Sequence, residues 1–406
     1  MSDLPASRFL DRTTPPHIGT LVLIAGGAAL SLNVFLPSLP AMADHFGVDY
    51  AVMQLSVSLY LGMTAVLQVF VGPISDRFGR RPVMLTTTAV FVLASLGAML
   101  APSFGVFLAC RLVQAIIATG FVLSRAVVRD MVPQDQAASM IGWVTMGMSL
   151  VPMVGPMIGG ALEAAFGWQA SFAILALFGT GLFALIWADL GETARGRATS
   201  FAEQARQYPA LLRSQRFWGY ALAAGFASGA FFAFLGGAPF VGTEVFGMDA
   251  VTLGMWFGAP AFGYMAGNGV SGRYSVRFGV NRMVLAGSLV ATCGLALLCL
   301  LTLAGFGGPP AFFGLMVAVG LGNGILLPSA NAGMLSVRPA LAGSAAGIGG
   351  ALIIGFGAAL SALAGVMLTA FGGSLPLVLL MLATSAASIP CILWVRARAR
   401  AVGAAP

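Results

Sequence analysis

The chain has 406 residues, 59% of them hydrophobic and only 8% charged, with 20 basic against 13 acidic side chains. A water-soluble fold carries roughly a quarter of its residues as charges, so that class is excluded, and long apolar runs without alternation exclude a strand barrel. What remains is an all-α polytopic membrane protein. The net charge of +7 needs no nucleic acid to explain it, because the basic residues are scattered along the chain and not gathered on one face among aromatics. Cys110, Cys293, Cys299 and Cys391 have no metal or redox spacing. No cofactor and no metal are expected.

A helix needs about 20 residues to cross the apolar core of a bilayer. Apolar runs of that order predict twelve spans, near 18–41, 51–72, 83–101, 104–125, 138–162, 168–187, 217–241, 250–271, 283–304, 310–331, 343–369 and 374–395. The polar segment before Ile18 lacks a signal-peptide pattern, so the first span is expected to stay in the mature protein. Span one contains "SLNVFLPSLP", with Asn33 just before a Leu-Pro turn. Span two offers Tyr60 and Met63 and leads into "GPISDRFGRRP", where Asp76 sits among Arg77, Arg80 and Arg81, framed by Gly72 and Gly79. Span four holds Arg111 and Gln114 in "RLVQA". A charge at that depth is costly and is a functional candidate by default, although backbone carbonyls could also satisfy it.

Span five, "GWVTMGMSLVPMVGPMIGG", contains Gly142, Gly155, Pro156, Gly159 and Gly160. Gly-Pro bends a membrane helix and small residues let a neighbour pack closely; ordinary small-residue packing is the plainer reading in a chain with 54 glycines. Residues 188–216 form the longest polar loop. Ser200 and Glu203 have capping-box spacing there, and Phe201, Ala205, Tyr208 and Leu212 could share the face of a surface helix broken near Pro209; a plain tether fits nearly as well. Phe231 and Phe234 in span seven, Tyr264 and Asn268 in span eight, and Asn323 and Asn331 in span ten complete the cavity candidates. Aromatics with neutral amides suit a small lipophilic, uncharged or weakly polar ligand, while each aromatic taken singly is as easily packing.

With twelve spans, nineteen of the twenty arginines fall in the tails and in the alternate loops on their side; the opposite loops hold only Asp44, Asp49, Glu163, Glu244 and Asp249. Arginine-rich loops stay in the cytoplasm, so both termini are expected inside, in a cell inner membrane. The twentieth arginine is Arg111. Shifting the chain by 200 residues aligns "FGVD" at 46–49 with "FGMD" at 246–249 and "GPISDRFG" at 72–79 with "GRYSVRFG" at 272–279; an offset of 205 aligns "GALEAAFG" at 160–167 with "GVMLTAFG" at 365–372. The chain therefore divides into six-span halves, 1–187 and 217–406, joined by 188–216. Parallel six-span halves place a substrate site between them near the midplane.

Twelve spans in two halves, with G-x-x-x-D-R-x-G-R-R after span two, resemble the major facilitator superfamily. "FLPSLPAMA" and "GPISDRFGRRPVML" look most like its Bcr/CflA-type drug exporters, which include bicyclomycin and chloramphenicol/florfenicol resistance proteins. The resemblance implies that Gly72, Asp76, Arg77, Gly79, Arg80 and Arg81 form a conformational latch. Gly72 would allow close helix approach, and Asp76 would face the positive end of span eleven near Gly343 and Ser344. It also implies that the span-five glycines and Pro156 are an antiporter signature, with Val151 where a glycine is usual. Arg111 and Gln114 correspond to a span-four motif that assists proton coupling, with Ala115 replacing its glycine. The family acid of span one is Asn33 here, and the second latch copy has Val276 in place of Asp76.

The expectation is secondary active efflux of small lipophilic drug-like compounds, coupled to protons, by a monomer. An importer or facilitator of a neutral metabolite and a non-transporting sensor are the rivals within membrane proteins. A membrane enzyme is a distant one: "HFGVD" spaces His45 and Asp49 like a weak acyl-transfer motif, but its repeat partner has Val245 in place of the histidine, which points to a structural turn.

Overall fold

A computed structural model describes residues 7–131, 151–194, 211–338 and 342–401, together with Met140, Val144, Gly147, Met148 and Pro209. The helices are α1 (Ile18–Asn33), α2 (Leu55–Phe78), α3 (Arg80–Met99), α4 (Phe104–Met131, with a 3-10 stretch at Ala115–Ala118), α5 (Val151–Phe166) and α6 (Gln169–Asp189). The second set is α7 (Gln215–Phe240), α8 (Ala259–Phe278), α9 (Val280–Leu303), α10 (Met316–Ser336), α11 (Ala342–Phe371) and α12 (Leu375–Ala401). Short helices Leu39–Phe46 and Ala250–Trp256 precede α2 and α8.

Ten helical segments among the described residues are long and apolar enough to cross a membrane. The two other expected spans are the fifth, most of whose first half lies outside the described residues, and the eighth. That eighth span is split into Ala250–Trp256 and α8, and the polar end of α8 carries Arg273 and Arg277. The surface helix expected around Ser200–Tyr208 also lies outside the described residues.

Local chemistry sets the helix ends. α1 stops at Asn33, and Pro37 and Pro40 then occupy the first turns of a 3-10 helix (Leu36–Ser38) and of Leu39–Phe46, where a missing N–H costs nothing. α2 runs beyond its expected end through Phe78, so Asp76 and Arg77 lie in a last helical turn and not in a loop. A polar sequence alone does not end a helix; a left-handed residue does, and here that residue is Gly79, at φ 96°.

The same device recurs in both halves. Each sequence repeat aligns two glycines of positive φ: Gly47 with Gly247 (62° and 63°), Gly79 with Gly279 (96° and 80°) and Gly167 with Gly372 (81° and 64°). Arg77 and Arg277 even sit alike, over Phe78 and Phe278, at 5.5 and 5.6 Å.

In the first half α3 packs on α4 and α6, and α1 on α4 and α5; in the second α7 packs on α11 and α12, and α10 on α8 and α9. The halves meet where α2 lies along α11 and α5 along Ala250–Trp256. An aromatic cluster closes each half at the side away from the termini, called here the far side. Phe107, Trp168 and Phe172 lie in the first (Phe107–Phe172 5.4 Å), and Phe234, Phe257, Phe312 and Phe313 in the second (Phe234–Phe257 5.3 Å). His45 belongs to the first cluster, its ring 5.2 Å from Trp168, which agrees with a structural turn at "HFGVD".

Candidate functional site

Arg111 is fully buried on α4. Its Nη1 donates to Gln114 Oε1 at 2.6 Å, one helical turn on, and to the Ser31 carbonyl of α1 at 3.3 Å. Gln114 Nε2 in turn donates to Ser95 Oγ at 2.7 Å, and Ser95 donates to the Phe91 carbonyl, so the amide is held in one orientation by α3. The rings of Phe35 and Tyr60 cover the guanidinium at 4.2 and 4.5 Å. Such cation–π contacts hold a desolvated cation without neutralising it. Four helices thus build the environment of one charge, and they bring the span-two candidate Tyr60 against Arg111 and Gln114.

Asn33 is only 2% exposed, at the last position of α1. Its Nδ2 donates back to the Ala29 carbonyl at 2.7 Å, and its Oδ1 has no partner among the described residues. The other cavity candidates disperse. Met63 lies on an exposed apolar stripe of α2 with Leu59 and Val66. Phe234 is fully buried in the second aromatic cluster, with Phe231 stacked on it at 6.5 Å. Tyr264 and Asn268 are half-buried one turn apart on α8, where Asn268 Nδ2 donates to the Tyr264 carbonyl at 3.0 Å. Asn323 is buried on α10 with its Oδ1 unpartnered among the described residues, and Asn331 is exposed.

The charged cluster after α2 is a knot of helix ends. Arg80 pairs with Asp76 and Ser75, and its Nε lies 3.2 Å from Asp130 at the end of α4. The backbone N–H groups of Arg80 and Arg81 donate to the Glu192 carboxylate at 2.9 and 3.3 Å. This acid therefore caps α3, where the helix dipole favours negative charge. Arg81 lies 5.0 Å over the Trp187 ring of α6. Glu192 was missed in the sequence, which has no local signal for a partner 112 residues away. The side chains of Gly343 and Ser344 are outside the described ones, and the described ion pair of Asp76 is to Arg80 in its own half. Gly72 departs from expectation: a Cβ there would meet nothing within 4 Å among the described residues, so no close helix approach is made at that point.

The span-five residues sit where the halves meet. A Cβ on Gly159 would overlap the Val34 carbonyl of α1's end, one on Gly155 would come within 3.4 Å of Asn33 Cβ, and one on Gly160 would overlap the Ala250 carbonyl of the other half. Gly254 in turn packs on the Pro156 carbonyl. Gly142 lies outside the described residues. Glu163, one turn beyond Gly159 and Gly160, has a buried Oε2 without a partner among the described residues. The same far side is tied across the halves by Tyr50 Oη donating to the Gly236 carbonyl at 2.6 Å and Gln54 Nε2 donating to Ser361 Oγ at 2.7 Å.

The sequence profile of the Major Facilitator Superfamily matches residues 21–362. The chain is 30% identical to the chloramphenicol resistance protein of Pseudomonas aeruginosa, over 73% of this chain and 70% of that one. It is also 30% identical to the multidrug transporter MdfA of Edwardsiella piscicida, over 74% of each. Its fold is similar to the crystal structure of a bacterial homolog of the human lysosomal transporter Spinster in an inward-facing and occupied conformation. The TM-score is 0.74 at 17% identity, covering 94% of this chain and 96% of that one.

Proposed function

Since the chain belongs to the Major Facilitator Superfamily, we propose that it exports small lipophilic, drug-like compounds by alternating access, driven by proton influx. The observation that carries this reading is the far-side seal, in which Gly159 packs on α1 and Gly160 on Ala250 of the opposite half. A helix with no side chain on two faces can press against both halves at once, and so can close one end of a central path tightly enough to stop protons leaking. Kinship with a chloramphenicol resistance protein and a multidrug transporter supports the drug-like cargo.

In this proposal the termini are cytoplasmic and the protein works as a monomer. The halves 1–187 and 217–406 rock about 188–216, and Asp76 changes partner as the inner side closes. The described state is closed toward the outside. Arg111 and Gln114 supply the fixed charge of the site, and Glu163, half-buried at the sealing face with its Oε2 covered, is the acid that takes a proton when the seal opens.

One observation favours a second reading. Asn33 stands where the family acid is expected and cannot ionise, which suits a facilitator or importer of a neutral metabolite. Reconstituted vesicles with an imposed pH gradient decide between them. Labelled chloramphenicol should move against its gradient when the proton gradient is inward to the cytoplasmic face; movement indifferent to the gradient removes antiport.

A further inference from the structure

Arg111 is buried without a counter-charge among the described residues. All thirteen carboxylates of the chain lie in tails, between spans or in the last turn of a helix. Its hydrogen bonds to the described residues all run through Nη1, to Gln114 at 2.6 Å and to the Ser31 carbonyl and hydroxyl at 3.3 and 3.4 Å. Nε and Nη2 have no partner among the described residues. These two nitrogens form the side edge of the guanidinium, the fork that grips a carboxylate with two parallel bonds.

The guanidinium is also walled by aromatic rings. Phe35 and Tyr60 lie 4.2 and 4.5 Å from the guanidinium carbon, and Phe172 lies 5.9 Å from it. Gln114 cannot swing round to serve the open edge, because Ser95 holds it at 2.7 Å. The rings offset part of the cost of desolvating this cation, and its unused fork leaves a further gain for negative charge that reaches it. The unpartnered Nε and Nη2 therefore suit a negative group that can accept from both.

We infer that Arg111 is an anion-binding site, taking one negative charge on its Nε–Nη2 edge beside the rings of Phe35 and Tyr60. That charge is either chloride or the carboxylate of a lipophilic cargo; the inference deepens the transporter reading above and rests on it for the cargo. Chloride makes the site a counter-ion site beside a neutral cargo. A carboxylate on an apolar body makes Arg111 the residue that selects the cargo, with the aromatic rings against its apolar part.

The test is equilibrium binding of labelled chloride and labelled benzoate to the purified full-length chain in detergent, at matched ionic strength. The wild type should bind at least one of them saturably. Arg111→Lys, which keeps the charge but loses the fork, should bind at least tenfold more weakly, and Arg111→Gln should not bind. Benzoate binding that excess chloride does not displace identifies the cargo's carboxylate as the source; chloride binding without benzoate binding identifies a counter-ion. No binding of either anion by the wild type, or equal binding by Arg111→Gln, overturns the inference. Labelled chloramphenicol run in parallel separates the two readings: if it binds and neither anion does, the exporter reading stands and the anion site falls.

Discussion

Asp189 and Asn33 show how differently two polar side chains can be buried. Asp189 is fully buried at the end of α6 and accepts from Leu10 N at 2.7 Å, His17 N at 2.9 Å and Thr20 Oγ1 at 2.6 Å. Its Oδ2 thereby serves the positive end of α1 while its Oδ1 pins the N-terminal segment at Leu10. Asn33 has one oxygen unused and packs beside Gly155 of the sealing helix. A carboxylate there would be almost fully desolvated, which favours its protonated form. Asn33→Asp should steepen the pH dependence of export or admit cationic substrates, read as transport rate against pH in vesicles. An unchanged profile and selectivity would mark Asn33 as a packing residue. Arg111, Gln114 and Asn33 were legible as candidates because polar residues are rare in spans; Asp189 was not, because its three donors lie up to 179 residues away.

At the scale of elements, the contact of α5 with its neighbours is the most sensitive. Adding one methyl at Gly159 puts it on the Val34 carbonyl, and backbone cannot step aside as a flexible side chain can. Overpacking of this kind costs roughly 1–3 kcal/mol, and the cost falls on the far-side-closed state, where the contact is made. Gly159→Ala should therefore lower transport by about tenfold, since 1.4 kcal/mol is a factor of ten. It should also increase labelling of a cysteine placed at the far side. Equal labelling and full transport would show that the contact is incidental. The motif glycines and Pro156 could be read in the sequence, and so could their packing role. Which glycine meets which half could not, because helical spacing gives a face and not the neighbour on that face.

In the proposed cycle the two six-helix sets, α1–α6 and α7–α12, act as halves that part on one side as they close on the other. An added Cβ at Gly365 of α11 lies 3.0 Å from the Cβ of Gln54, the residue just before α2, close to the ~3.5–4.5 Å between the β-carbons of a disulfide. Gln54→Cys with Gly365→Cys should crosslink the halves at the far side on oxidation, abolish transport, and recover it on reduction. Transport that persists at full crosslinking would show that this end need not open.

The amino-acid sequence by itself determined that the chain is helical and lives in a membrane, because a bilayer forces every backbone group to be satisfied within its own segment. It also determined the repeat, since each copy needs a glycine at the same left-handed turn, as at Gly47 and Gly247. The tertiary structure alone decided the partners: Glu192 on the first turn of α3, Asp189 on the start of α1, Gly160 against Ala250, and the rings over Arg111. These contacts join residues far apart in the chain, and no local periodicity encodes them; they exist only once the helices are packed.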